Sequence, residues 1–176
     1  KTDPERGDRQ SYQVEFASPE LLSDADLIAL RAGWRWLDTF ANRHQLGFRA
    51  DVGAILSSDF DSVPLNMRFY AGGDQSVRGY DYKSLSPRDI DGQIIGARNL
   101  VSMSSEYTFK LTTRWRLATF VDMGNAFDAS NEGLKTGAGV GVRWISPVGP
   151  VRLDVAWGLD SDNNTPRIHF FMGPAL

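Results

Sequence analysis

The amino-acid sequence predicts an all-β protein, an antiparallel β-barrel that crosses a membrane. Apolar and polar residues alternate along eight segments, which is the period of a strand with two different faces. In each segment the charges of the strand core lie on the face opposite the apolar stripe. Short connections alternate with longer, more polar ones, as in outer-membrane barrels, whose turns are short on one side of the membrane.

The first three strands are predicted at 9–18, 26–38 and 45–57. Each carries one apolar stripe, and Arg31, Arg35, Arg49 and Asp51 lie on the opposite faces. The stripes are, in chain order, Tyr12, Val14 and Phe16; Ile28, Leu30, Ala32, Trp34 and Trp36; and Leu46, Phe48, Ala50, Val52, Ala54 and Leu56. Residues 19–30 are the only candidate for a helix, and they run directly into the second strand.

Five further strands follow a long loop at 58–97, and all eight are expected to be joined in sequence order. They are predicted at 98–110, 114–124, 135–146, 150–159 and 167–173. Their apolar stripes are Val101, Met103, Tyr107 and Phe109; Trp115, Leu117, Val121 and Met123; Ala138, Val140, Val142 and Trp144; Val151, Leu153, Val155, Trp157 and Leu159; and Ile168, Phe170 and Met172. No helix of three or more turns is expected after residue 40.

The connections and tryptophans also fit a membrane barrel. The turns at 40–45, 111–114 and 146–150 are short, whereas those at 19–24, 58–97, 128–134 and 160–166 are longer or more polar. Trp36, Trp115 and Trp144 lie near the short-turn ends, where membrane barrels carry an aromatic girdle.

Composition excludes several classes of site. The chain has 176 residues, enough for one domain, and a net charge of −3, which argues against nucleic acid as a partner. It contains no cysteine and only two histidines, His44 and His169, so neither a disulfide nor a metal site nor another cofactor is expected. There is no apolar run of about 20 residues, and the opening KTDPERGDRQ does not read as a signal peptide.

A soluble β-sandwich or a lipocalin-like barrel would alternate in the same way. The alternation leaves both open, because a solvated exterior would suit the eleven strand charges equally well. These are Glu15, Arg31, Arg35, Arg49, Asp51, Glu106, Arg116, Asp122, Arg143, Arg152 and Asp154. A glycine ladder, Gly137, Gly139 and Gly141, favours the membrane barrel, because glycines weaken a soluble strand but leave room for something inside a lumen.

Four motifs carry a resemblance to a known family. Val77-Arg78-Gly79-Tyr80, within the glycine-rich stretch 71–87, resembles the VRGY/F motif in the sixth extracellular loop of the BamA/TamA superfamily of outer-membrane assembly factors. Phe120 to Phe127, with Gly124 and Asn125, resembles the second barrel motif of that family. Residues 139–154 resemble its penultimate hairpin. Ile168, Phe170, Met172 and Gly173 resemble its closing strand, and the ending Gly173-Pro174-Ala175-Leu176 is most similar to the TamA branch.

The resemblance implies a sixteen-stranded barrel of which this chain is the C-terminal half. It further implies that the long loop folds back into the lumen and that Arg78 pairs there with Asp122 and, as a second partner, Glu106. The alternation independently puts both carboxylates on the inner face. A guanidinium has five donors in a planar fork and can serve two carboxylates.

The implied function is assembly of β-barrel proteins, and autotransporters in the TamA case, in the bacterial outer membrane. The implied partners are the lipid bilayer, the barrel substrates and a TamB-like inner-membrane protein reached through upstream POTRA domains. Two alternatives share the barrel: a secretion pore of the two-partner type, and the barrel domain of a patatin-like lipase. No G-x-S-x-G nucleophile elbow is present, so no catalytic residue is expected.

A half-barrel leaves two open edges, so the chain is expected to be either a fragment of a longer protein or one of two copies that close a barrel. The start at Lys1 without a signal peptide favours the fragment, with POTRA domains and the first strands upstream. The hydrogen bonding of the first and last strands would separate a half-barrel from a closed eight-stranded barrel, in which these two strands pair with each other.

Overall fold

A computed structural model of the chain describes residues 5–17, 26–129, 132–147, 149–161 and 165–173. These residues form eight strands in one antiparallel sheet, ordered as in the sequence. The strands are β1 (Gly7–Ala17), β2 (Leu27–Phe40), β3 (His44–Ser57), β4 (Asn99–Lys110), β5 (Trp115–Phe127), β6 (Lys135–Ser146), β7 (Gly149–Gly158) and β8 (Arg167–Met172). The predicted strands and their order are therefore confirmed, with shifts at the ends.

The shifted ends follow from pairing between strands. Phe40 pairs with His44 across a turn whose residues Ala41 and Asn42 have positive φ, so β2 extends past the predicted end at 38. Phe127 pairs with Asn99, which carries β5 past 124. β7 and β8 each end one residue earlier than predicted. β7 ends at Gly158 rather than 159, and β8 ends at Met172, so Gly173 lies beyond the closing strand.

The helix candidate at 19–30 is wrong at its C-terminal end, because residues 27–30 begin β2 and pair with both β1 and β3. Residues 19–25 of that segment lie outside the described residues, as do Pro174, Ala175 and Leu176. Within the described ranges, no helix has the length and apolar character needed to cross a membrane.

The two faces of the sheet are inverted relative to a soluble protein. The apolar stripe faces outward and is exposed: Phe16, Leu56, Val121, Val140 and Ile168 are examples, with Ile168 75% accessible. The inner face buries polar and charged side chains instead, among them Arg116, Asp122, Arg143, Asp154 and His169. Apolar side chains outside and charges inside are the pattern of a membrane barrel with a polar lumen, and the soluble alternatives predict the reverse.

The sheet is open, because its hydrogen-bonded order begins at β1 and ends at β8. β1 pairs with β2 along eleven residue pairs, and β8 pairs with β7 from Val151↔Met172 to Ala156↔Arg167. Among the described residues β1 and β8 do not pair with each other, which excludes a closed eight-stranded barrel. The predicted partial barrel is confirmed.

The long loop between β3 and β4 packs on the inner face of the sheet. Its buried residues Val63, Phe69, Ala71, Val77 and Ala97 form one hydrophobic cluster with side chains from strand ends. The strand members of the cluster are Leu27, Ala29, Ile55, Leu100 and Ala126. Isolated bridges, Phe69↔Ala97, Ala71↔Leu85 and Arg88↔Ile94, brace the loop internally. The core of the molecule therefore lies between this loop and one end of the sheet.

Candidate functional site

Arg78 lies at the centre of an ion-pair network on the inner face of the sheet, with only 5% of its surface exposed. Its Nε donates to Asp122 Oδ2 (2.7 Å) and its Nη2 to Asp122 Oδ1 (2.9 Å), a two-point contact between fork and carboxylate. Its Nη1 donates to Glu106 Oε2 (3.0 Å) and to Asp154 Oδ2 (2.9 Å). Nη2 also donates to Ser104 Oγ (3.2 Å), so all five guanidinium N–H groups have partners.

Strand register brings these side chains to one place. Ser104 of β4, Asp122 of β5 and Gly137 of β6 are direct cross-strand neighbours, so a serine and a glycine flank the aspartate. Ser104 Oγ donates to Asp122 Oδ1 (2.6 Å), and Arg78 N donates to Asp122 Oδ2 (3.0 Å). Asp122 is fully buried, and its carboxylate is saturated by four hydrogen bonds.

Two further arginines complete the network. Arg143 of β6 bonds both Glu106 and Asp154, with Arg143 Nη2 2.8 Å from Glu106 Oε2. Arg152 of β7 donates to Glu106 Oε1 (3.1 Å). The cluster of three arginines, 78, 143 and 152, and three carboxylates, 106, 122 and 154, has no net charge. Neutrality matters because unpaired charges would be costly to bury.

The Arg78 guanidinium also packs against an aromatic ring. The guanidinium carbon of Arg78 lies 3.3 Å from the centroid of Phe120, which is buried on β5. Burial alone would lower the pKa of the Arg78 guanidinium, but its hydrogen bond to Asp122 and the charges of Asp122, Glu106 and Asp154 raise that pKa above its usual range. Arg78 is therefore a permanent cation at any pH the fold survives.

The glycine ladder of β6 lies directly beneath the Arg78 network. A Cβ on Gly137 would overlap the carbonyl oxygen of Arg78, and one on Gly139 would meet the Phe120 ring at 2.5 Å. A Cβ on Gly141 would overlap the carboxylate of Asp154. We call Arg78 and the residues that bind it the anchor. Each glycine makes room for a different part of it: the loop backbone, the ring beneath Arg78 and a carboxylate that binds Arg78.

The other three motif residues are each fixed by a separate contact. Val77 is fully buried, and a Cβ on Gly124 would meet its Cγ2 at 2.9 Å. Gly79 has φ +92° and lies against the backbone of β7, where a Cβ would meet the carbonyl carbon of Trp157 at 2.5 Å. Only glycine fits that combination of conformation and space. Tyr80 Oη donates to Thr136 O and accepts from Asp160 N, both at 3.1 Å.

The remaining residues singled out from the sequence have varied surroundings. Asn125 Nδ2 donates to Gly133 O (3.0 Å), and Phe127 ends β5, where its carbonyl accepts from Asn99 Nδ2 (3.2 Å). Ile168, Phe170 and Met172 of the closing strand point outward and contribute nothing to the anchor. Gly173 N donates to Pro150 O (3.0 Å), which continues the pairing of β8 with β7 by one bond.

Sequence reasoning missed five participants: Ser104, Asp154, Arg143, Arg152 and His169. Alternation had put Asp154 and Arg143 on the inner face, so the charge of each side chain and the face of the sheet that it occupies were predictable. Their height relative to Arg78 was not, because it depends on how far each strand is shifted against its neighbours and on the path of the loop. His169 Nε2 accepts from Gly79 N (2.9 Å), a contact between β8 and the loop backbone with no signal in the sequence.

A cavity of about 1360 Å³ lies beside the anchor. Its walls are formed by residues of β1 to β4, by the loop residues 66–70, 72–76 and 80–83, and by Arg167, Ile168, His169 and Phe171 of β8. Arg9, Arg31, Arg35, Glu15 and Asp51 line it. The anchored loop therefore occupies one side of the concave face, and a polar space remains on the other.

Sequence comparison identifies a family model and several known proteins that this chain resembles. Residues 1–175 match the Omp85 superfamily domain. The outer membrane protein assembly factor BamA of Nitratidesulfovibrio vulgaris is 32% identical over 98% of this chain and 23% of its own length. BamA of Neisseria meningitidis serogroup B is 27% identical over 63% of the chain and 19% of its own length. Outer envelope protein 80 of Arabidopsis thaliana chloroplasts is 32% identical over 60% of the chain and 14% of its own length.

A solved structure has the same fold. BamA from Haemophilus ducreyi lacking POTRA domains 1–3 superposes with a TM-score of 0.75 at 20% identity, covering 95% of this chain and 38% of that one. The chain thus spans under a quarter of the length of these relatives and under half of the solved protein. From the match of nearly every residue to the family domain, the chain belongs to the Omp85 superfamily.

Proposed function

We propose that this chain is the C-terminal half of the barrel of an outer-membrane assembly factor that inserts β-barrel proteins into the bacterial outer membrane. The observation that carries the proposal is the weak pairing of the closing strand β8, which has six residues, six pairs with β7 and an outward apolar face, so that its edge is easily exposed. The protein acts by offering that edge and performs no catalytic chemistry. The BamA relatives support this role.

A free edge presents unpaired N–H and C=O groups that pair readily with another strand. β8 is bonded to β7 over only six residue pairs, whereas β2 and β3 share fourteen. Pro174 follows at the end of the sequence, outside the described residues, and proline cannot donate to a ladder. A short closing strand is therefore the place where an incoming strand can be templated at least cost.

The position of the loop favours this sideways route over a secretion pore. In a pore of the two-partner type the substrate passes through the lumen. Here the loop fills part of the concave face and is fixed there by the Arg78 network. A substrate strand at the outer edge of β8 would not have to pass the loop.

A photocrosslinking experiment on the full-length protein tests the route. A photoreactive phenylalanine analogue replaces Phe170, which points outward from β8, or Val121, which points outward from β5 in mid-sheet. We expect a radiolabelled barrel precursor to crosslink from position 170 and not from 121. A third probe at Arg35 reports on the lumen. Crosslinking from 35 alone would contradict the proposal and support a pore.

A narrower role in autotransporter assembly, with a TamB-like inner-membrane partner, is favoured by one observation. The ending Gly173-Pro174-Ala175-Leu176 resembles the TamA branch, whereas the relatives that match most of the chain are BamA proteins. The same crosslinks decide between the two, because a general factor captures porin-type and autotransporter precursors alike. A TamA-type factor captures the autotransporter only.

The open sheet also supports a proposal about the remainder of the protein. We infer that POTRA domains and further strands precede this region, and that β1 pairs with the last of those strands. The cover of 38% of the solved BamA chain fits a half-barrel. Closure by a second copy is the competing arrangement, and mass measurement of the intact protein in detergent separates one copy from two.

A further inference from the structure

We propose that His169 is a positioning residue that latches the Arg78 loop to the closing strand β8, so that release of one loosens the other. The inference deepens the proposed function, because it assigns control of the β8 edge to the loop. It rests on contacts that β8 itself makes with the loop, which are separate from the bonds between Arg78 and its carboxylates.

The latch is a single imidazole bonded on both sides to the loop. His169 Nε2 accepts a hydrogen bond from the backbone N–H of Gly79 (2.9 Å), and Nδ1 bonds the carboxylate of Asp74. Because Nε2 is the acceptor, the proton of the neutral ring lies on Nδ1, which donates to Asp74. His169 is only 7% exposed, so loss of this acceptor would leave the buried Gly79 N–H without its protein partner.

A second, weaker contact lies two residues earlier on β8. Arg167, the next inward residue of β8, forms an ion pair with Asp81 of the loop. Both side chains are largely exposed, so this pair contributes little to stability. Loop residues 74, 79 and 81 therefore contact β8 on both sides of Arg78, while Arg78 itself is anchored on β4, β5 and β7.

Through these contacts the loop connects two parts of the sheet. Arg78 of the loop binds Asp122 of β5, and Gly79 of the loop binds His169 of β8. His169 lies directly across the ladder from Asp154. β8 has one hydrogen-bonded neighbour and few pairs with it, so a side-chain bond from within is a large part of what positions it. Two groups held by one rigid segment are coupled, and such coupling is reciprocal.

Hydrogen–deuterium exchange on the full-length protein in lipid nanodiscs tests the coupling. His169→Phe keeps the ring volume and removes both bonds, and His169→Gln restores an acceptor near the position of Nε2. We expect His169→Phe to raise exchange at least about fivefold in both the loop peptide 72–81 and β8, since a buried donor loses its partner. His169→Gln should remain close to wild type, and peptides of β2 and β3 should not change.

Arg78→Ala provides a second test that does not touch β8. The coupling requires this variant to raise exchange in β8 as well as in the loop, whereas Arg88→Ala, in the exposed part of the same loop, should leave β8 unchanged. If Arg78→Ala loosens the loop alone, or if His169→Phe affects only β8, the latch is refuted. If His169→Phe does not fold, the Arg78→Ala result decides.

The two proposals fail separately. Exchange reports on the latch without any substrate, and the crosslink from Phe170 reports on assembly. Retained crosslinking with uncoupled exchange would refute the latch alone. Coupled exchange with crosslinks only in the lumen would refute the assembly route and leave the latch intact.

Discussion

At residue 78 a planar guanidinium meets three carboxylates, and only arginine can serve them all. We expect Arg78→Ala to impair assembly and to loosen the loop, because removing one partner of a buried pair costs about 3–5 kcal/mol, less in a wet lumen. Because the strand ladder is intact, barrel stability should fall less than activity. Limited proteolysis of the loop and the crosslink from Phe170 measure the two effects, with Arg88→Ala as control.

Arg78→Lys gives a test that depends on pH. A group whose pKa rises on folding contributes stability that is lost only as pH rises through its folded value. The pKa of Arg78 is raised above an already strongly basic value, so the wild-type loop should stay protease-resistant to about pH 11. In the Arg78→Lys variant the same carboxylates raise the lysine pKa above its ordinary value of about 10.4, so the loop should begin to loosen as pH rises beyond that value. Equal resistance of both proteins at pH 11 would show that the charge on residue 78 does not hold the loop.

Gly137, beneath the anchor, can be tested in the same way. A methyl group there would overlap the Arg78 carbonyl, so we expect Gly137→Ala to destabilise the protein by about 1–3 kcal/mol, the usual cost of overpacking. Gly133→Ala is the matched control, because nothing lies within 4 Å of a Cβ at that position. Thermal unfolding in detergent compares them, and equal melting temperatures would refute the proposed close contact.

The residues also show what sequence could and could not predict. Alternation put Asp122 and Glu106 on the inner face, and the family resemblance pointed to Arg78 as their partner; the structure brings the three together. Neither source pointed to Asp154 or to His169. Which inner residues meet the loop depends on the stagger between strands and on the loop path, and these are properties of the folded sheet.

At the scale of elements, the period of two predicted the strands well, because each face meets a different environment over its whole length. The ends were less predictable. Asn125 to Phe127 lie beyond the predicted strand end at 124, yet they pair with Asn99 to Val101 and lengthen β5. Pairing with β4 sets the end of β5 there.

The turn between β2 and β3 carries a prediction of its own. Ala41 has φ +49°, a left-handed conformation that costs an L-residue about 1–2 kcal/mol. Glycine pays no such cost but loses more entropy on folding, so Ala41→Gly should stabilise the hairpin by about 0.5–1 kcal/mol. Ala54→Gly, in extended β3, should destabilise by a similar amount. A drop in melting temperature for Ala41→Gly would contradict the turn geometry.

At the scale of the whole molecule, the inverted faces and the open order of the sheet belong together. A sheet that is apolar outside and charged inside needs lipid on one face and a lumen on the other, and a lumen needs closure. The alternation predicted the faces, but closure was not readable from it, because an eight-stranded barrel and half of a larger one alternate alike.

The open edges give the last prediction. In lipid each unpaired backbone N–H or C=O costs several kcal/mol, and within the described part of the chain β1 and β8 each have one side without a strand partner. We therefore expect residues 1–176, refolded alone with liposomes, to fail to insert as a protease-resistant monomer. If further strands precede this region, as we propose, refolding together with those strands should restore insertion, because closure satisfies both edges at once. Insertion is measured by heat-modifiable migration and protease protection. A resistant monomer in the bilayer, with β1 paired to β8, would overturn the half-barrel, and a resistant dimer would show closure by a second copy.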